Sequence, residues 1–91
     1  MLKLDIKRPA FDCLVDLQTK QFKQVMLNII RLTKDPYPND SQKLAGYPYY
    51  RIDTGEFRII YDVGSEETVR IILVGKRNDD EVYKRLRNLR N

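Results

Sequence analysis

Residues 50–62, Tyr50-Arg51-Ile52-Asp53-Thr54-Gly55-Glu56-Phe57-Arg58-Ile59-Ile60-Tyr61-Asp62, set the frame for the rest of the chain. An apolar-rich run over 68–74 comes next, then Gly75-Lys76-Arg77-Asn78-Asp79-Asp80-Glu81-Val82-Tyr83. Two apolar-rich runs meet at Asp53-Thr54-Gly55-Glu56, a hairpin turn with a glycine able to take positive φ. A loop centred on Thr54 and Gly55 pairs Ile52 with Phe57 and sets Arg51 opposite Arg58. Opposed like charges weaken a sheet by up to about 1 kcal/mol. Two guanidiniums side by side suit an anion instead, since each can bind phosphate oxygens in a bidentate manner.

The composition narrows the chemistry. A length of 91 residues suits one domain spanning 1–91. The net charge of +4, from 17 Lys and Arg against 13 Asp and Glu, favours a polyanionic partner. Histidine is absent, which removes a Ser-His-Asp triad, a Cys-His pair and histidine metal ligands. The single cysteine, Cys13, allows neither an internal disulfide nor a zinc cluster. Gly46, Gly55, Gly64 and Gly75 are scattered singly, so there is no glycine-rich phosphate loop. No cofactor and no metal are expected. Catalysis, if any, must run on Arg, Lys, Tyr, Asp and Glu, a set that points to phosphate esters. No apolar run is long enough to span a membrane, and the first residues lack the apolar core of a signal peptide. The expected compartment is the cytoplasm.

Outward from the hairpin, the chain resolves into an α+β order of strand, two helices, three antiparallel strands and a helix. Leu2, Leu4 and Ile6 alternate with polar residues as a short first strand. Pro9 suits the start of a helix that carries Phe11, Leu14 and Val15. Thr19 is placed to cap a second helix, with Phe22, Val25, Met26, Ile29 and Ile30 along one stripe. These helices are expected to form a hairpin against the sheet, with their lysines in water. A proline-stiffened loop over 35–41 leads to the strands, and residues 42–46 are ambiguous. Residues 71–74 are continuously apolar, as in a central strand covered on both faces. Asn78 caps the last helix, with Asp79 and Asp80 in its first turn and Glu81 completing a capping box. Val82, Leu86 and Leu89 form its inner stripe, and Lys84, Arg85, Arg87 and Arg90 make the rest basic.

This topology can bring Arg51, Arg58, Arg77 and Tyr83 together. Singly, each has an ordinary reading: a strand arginine is commonly salt-bridged at the surface, and a helix tyrosine commonly packs its ring on the core. As a set, three cations and a phenol converge on one edge without acids in matching number.

Residues 50–63 and the Val74-Gly75-Lys76-Arg77-Asn78-Asp79-Asp80-Glu81-Val82-Tyr83 segment resemble the RelE branch of the RelE/ParE toxin superfamily. The resemblance covers essentially the whole chain in length and element order. It implies a small antiparallel sheet with an N-terminal helical hairpin and a C-terminal helix. It further implies the toxin of a type II toxin–antitoxin system, a metal-independent endoribonuclease that cleaves messenger RNA in the ribosomal A site and so inhibits translation. The implied partners are a cognate antitoxin that wraps the toxin in a hetero-oligomer, the ribosome and its mRNA. By position, Arg51 matches a basic strand residue of the family's site and Arg58 the arginine that holds the scissile phosphate. Arg77 matches the arginine past the last strand, and Tyr83 the tyrosine of the C-terminal helix. Asp53 departs from the pattern, standing where well-studied members have a second lysine.

On this reading a 2′-hydroxyl attacks the adjacent phosphate in line. Arg58 and Arg77 stabilise charge on the phosphate oxygens, Tyr83 serves as the base or assists it, and Arg51 shapes the field. Asp53 is the competing base. Two other classes fit the same chain: a ParE-like toxin that inhibits DNA gyrase, and a non-catalytic module that grips RNA or an acidic partner.

Overall fold

A computed structural model describes residues 1–78 and 81–89, with the backbone alone for Glu81. The elements are β1 (Lys3–Ile6), α1 (Arg8–Val15), α2 (Thr19–Leu32), β2 (Gln42–Lys43), β3 (Tyr50–Thr54), β4 (Phe57–Gly64), β5 (Thr68–Lys76) and α3 (Glu81–Asn88). The expected α+β architecture is present, with the helical hairpin and the C-terminal helix on opposite faces of the sheet. Among the described residues the strands form one five-stranded sheet in the order β1-β5-β4-β3-β2. The sheet is mixed rather than antiparallel throughout: β1 pairs with β5 in parallel, Lys3 with Thr68 through Ile6 with Ile71. Parallel pairing needs a long connection, which α1, α2 and the β2–β4 segment supply. The ambiguous residues after the proline loop contribute β2, a two-residue edge strand on β3.

Helix α1 opens one residue before Pro9, which lies in the first turn where a missing N–H costs nothing. Thr19 is not a cap. Gln18 holds the N-cap position in extended backbone without a side-chain bond, and Thr19 is already helical. Of the expected α2 stripe, Val25 and Ile29 are buried together with Leu32, whereas Phe22 and Ile30 are partly exposed. Ala10, Leu14, Val25, Ile29 and Leu32 pack on Ile52, Phe57, Ile59, Tyr61, Val69, Ile71 and Val74. On the other face Val82 and Leu86 of α3 pack on Leu44, Ile60, Ile72 and Leu73. Burying each such side chain contributes about 1.5–3 kcal/mol.

Strand β5 is covered on both faces, as its apolar run predicts. A register shift between Ile60 and Tyr61 allows this: Ile60 pairs with Leu73 and Tyr61 with Ile71, leaving Ile72 as the extra residue. Ile71 and Val74 then face the helical hairpin, and Ile72 and Leu73 face α3. In α3, Leu89 lies just past the helix end and is exposed, so it is not part of the inner stripe. The capping arrangement expected at Asn78 depends on Asp79, Asp80 and the Glu81 side chain, which, like Arg90, lie outside the described residues and side chains.

The β3–β4 hairpin turns at Gly55 and Glu56 rather than at Thr54 and Gly55. Thr54 therefore pairs with Phe57, Asp53 with Arg58, and Arg51 with Ile60. The expected Arg51–Arg58 pair does not form. Gly55 has φ +59°, and Glu56 does not share a positive φ. A two-residue turn needs positive φ at its first central position, which glycine takes readily and β-branched threonine does not. Centring the turn one residue earlier would put that demand on Thr54.

Candidate active site

Arg51, Asp53 and Arg58 share the face of the sheet on which α3 packs, because residues in register across a strand pair point the same way. Helix α2, on the opposite face, steadies the turn between them. Asn28 Nδ2 donates to Thr54 Oγ1 at 2.8 Å, and Gln21 Nε2 donates to Glu56 Oε1 at 3.0 Å. Tyr83 arrives on α3 through Val82 and Leu86. Gly75 allows the close approach: a Cβ there would lie 3.3 Å from Val82 Cβ, tighter than ordinary contact. Arg77 follows β5 directly, and its backbone N–H donates to Glu56 O at 2.9 Å, tying it to the hairpin turn.

Arg58 is the hub. Its Nε donates to Asp53 Oδ1 at 2.8 Å and its Nη2 to Asp53 Oδ2 at 3.2 Å, a bidentate pair. Its Nη1 donates to the Tyr83 hydroxyl at 2.7 Å, and its guanidinium lies 5.7 Å from the centre of the Tyr83 ring. Arg51 Nη1 is 3.7 Å and Arg77 Nη1 3.9 Å from the same Asp53 Oδ2. Arg51 also donates through Nη2 to Gln42 Oε1 at 2.5 Å, so the short strand β2 orients it. The side chain of Arg58 is 14% exposed and that of Arg77 48%, a gradient from anchored centre to open rim.

All four expected residues thus meet, although Arg51 and Arg58 are diagonal neighbours rather than an opposed pair. Cations outnumber acids here as expected, three to one, but the one acid, Asp53, stands at the centre of the cluster. The clue was the turn: with Gly55 at the first central position, Asp53 must face Arg58. The hydrogen bonds from Arg58 hold the Asp53 carboxyl below the usual carboxylate range. Burial opposes this, and the charges of Arg58, Arg51 and Arg77 reinforce it. Its stabilising contribution is present above the ordinary carboxylate pKa and is lost as pH falls through the lowered value. The same pairing raises Arg58 further above its already high value. Three guanidiniums and one carboxylate leave the cluster with a net positive charge, suited to an anion. Among the described residues, no group of three or more His, Cys, Asp or Glu is arranged to hold a metal, and no helix is long and apolar enough to cross a membrane.

Known proteins share this geometry's framework. The family model for the ParE toxin of the type II toxin–antitoxin system, parDE, matches residues 6–81. A search of curated proteins found no match. Among solved structures, the isolated Escherichia coli RelE toxin superposes with a TM-score of 0.75 at 24% identity, covering 100% of both chains. An E. coli RelE variant with two arginines replaced, in the free state, gives 0.73 at 26% identity, covering 91% of this chain and 90% of that one. The toxin in the archaeal RelE–RelB complex of Pyrococcus horikoshii gives 0.74 at 23% identity, covering 85% of this chain and 96% of that one. The match over residues 6–81 and the shared RelE architecture lead to one conclusion: the chain belongs to the ParE toxin family of type II toxin–antitoxin systems, on a RelE-like fold.

Proposed function

We propose that this toxin is a ribosome-dependent endoribonuclease, a single domain over 1–91, that cleaves messenger RNA in the A site without a metal. The observation that carries this reading is the convergence of Arg51, Arg58, Arg77 and Tyr83, with Arg58 donating to the phenol oxygen while its other nitrogens face an anion. The 2′-hydroxyl oxygen attacks the adjacent phosphorus and the bond to the 5′-oxygen breaks. This leaves a 2′,3′-cyclic phosphate and a 5′-hydroxyl, with the 2′ proton passing to a base and a proton reaching the leaving oxygen. Arg58 and Arg77 stabilise the charge on the non-bridging oxygens. Tyr83 is the base or assists it, its hydroxyl oxygen held toward the site by the hydrogen bond it accepts from Arg58 Nη1. Its ring offers a face to a nucleobase. Arg51 adds to the field.

Such chemistry takes place in the cytoplasm, where ribosomes and mRNA are. A cognate antitoxin holds the toxin in a hetero-oligomer, as the RelB–RelE pairing of the similar archaeal complex suggests. Arg58→Ala and Tyr83→Phe are each expected to lower cleavage of ribosome-bound mRNA by about 10²–10³ and to relieve growth arrest while the protein stays folded. Folded variants that cut like the wild type would overturn the site assignment. Equal cleavage of naked RNA would overturn ribosome dependence.

A second reading, inhibition of DNA gyrase, is favoured by one observation, the match to a ParE family model. It predicts a DNA-damage response on induction, with Tyr83→Phe still toxic.

A further inference from the structure

We infer that Asp53 is a built-in counter-anion: it occupies the position of the RNA phosphate in the resting site, assembles the three guanidiniums, and leaves Arg58 when a phosphodiester binds. The inference rests on the ribonuclease reading for the identity of the anion. Its basis is the coincidence of two positions. The groups proposed to hold the phosphate oxygens already hold one carboxylate, Arg58 through two hydrogen bonds and Arg51 and Arg77 within 4 Å of a single oxygen. A carboxylate and a phosphodiester each carry one negative charge and offer two oxygens to the same bidentate donor edge.

Charge has two effects here. Asp53 offsets the mutual repulsion of three cations drawn from β3, β4 and the end of β5, while Gln42 and Tyr83 hold Arg51 and Arg58 in place by hydrogen bonds of their own. The cations stay converged, and RNA meets donors already in place. The cost is competition, because the phosphate must displace a partner that is covalently part of the site and holds Arg58 whenever RNA is absent. A short stretch of naked RNA contributes little beyond that one exchange. RNA presented on a large surface brings contacts from elsewhere to offset it. Asp53 is thus a positioning residue that also sets a threshold for substrate.

The charged and titratable groups facing Asp53 are Arg51 from β3, Arg58 from β4, Arg77 after β5 and, through Arg58, Tyr83 from α3. Asp53→Asn keeps the shape of the side chain and one acceptor for Arg58 while removing the charge. The probe is a 2′-O-methyl RNA trinucleotide, which has no 2′-hydroxyl to react. Its binding at neutral pH is expected to tighten about tenfold or more in Asp53→Asn, as removal of a like charge a few ångströms from the phosphate requires. Asp53→Glu, which restores a carboxylate, is expected to bind more weakly than Asp53→Asn. In the wild type, addition of the probe is expected to shift the carbon resonance of the Asp53 carboxyl together with the Arg58 Nε–H signal, as the pair separates.

Equal or weaker binding by a folded Asp53→Asn overturns the inference. If that variant unfolds, an Asp53–Arg58 pair that persists in the wild type with the probe bound overturns it instead. These outcomes are separable from the ribonuclease reading. Tighter binding with no cleavage of ribosomal mRNA by the wild type sinks that reading and leaves the counter-anion standing. Cleavage by the wild type with unchanged binding in Asp53→Asn does the reverse.

Discussion

Tyr61 shows how much one side chain can do away from the site. It is fully buried under the helical hairpin, and its hydroxyl donates to Pro36 O at 2.7 Å, pinning the proline-stiffened loop to the sheet. Burial pushes its pKa up to about 12, against an ordinary value of 10.0. The raised value means the folded state holds the proton that the unfolded chain releases. Tyr61 therefore contributes stability in full below pH 10, and that contribution is lost as pH rises toward about 12. Ultraviolet titration should show one of the six tyrosines ionising last, together with alkaline unfolding. Replacement by Phe should remove that late step; a titration in which all tyrosines ionise together would contradict the burial. Gly55 has a comparable reach. One positive φ moves the turn by one residue, and that replaces an arginine with Asp53 as the partner of Arg58.

At the scale of elements, α3 is the vulnerable part. Its eight residues are too few to be helical alone in water, so packing must hold it. Val82 and Leu86 supply that packing on Ile60, Ile72 and Leu73, and the bare Cα of Gly75 lets the helix come close. Leu86→Ala is expected to cost about 2–5 kcal/mol in α3 docking. Amide exchange over 81–88 should accelerate while β4 and β5 stay protected, and activity should fall because Tyr83 leaves Arg58. Uniform loss of protection across the sheet would show instead that α3 and the sheet unfold as one unit. The inner stripe of α3 was legible as a helical spacing at Val82 and Leu86. Its extension to Leu89 was not, because helix ends depend on local contacts that a periodic pattern does not carry.

For the whole molecule, the sheet divides two tasks. One face is covered by α1 and α2 and forms the larger core; the other is shared between α3 and the guanidinium cluster. Association with single-stranded RNA should be salt-dependent. With the cluster closed on a single phosphodiester, the logarithm of affinity should fall with the logarithm of salt with a slope of about −0.7. A slope near zero in binding of the non-reactive trinucleotide would remove the cluster from the binding surface.

The order of the helices and longer strands, the helical hairpin, the doubly covered strand β5 and the convergence of Arg51, Arg58, Arg77 and Tyr83 could be read from the chain, because periodicity and residue chemistry are local properties; the two-residue edge strand β2 could not. The parallel pairing of β1 with β5, the bulge that divides Ile71 through Val74 between the two faces, and the place of Asp53 could not. Pairing of Lys3 with Thr68, far apart along the chain, leaves no local mark. The turn that sets the register is steadied by Asn28 and Gln21 of α2, 26 and 35 positions from their partners Thr54 and Glu56. Composition shows that cations and a carboxylate are present; only the packed register decides that the carboxylate lies among them.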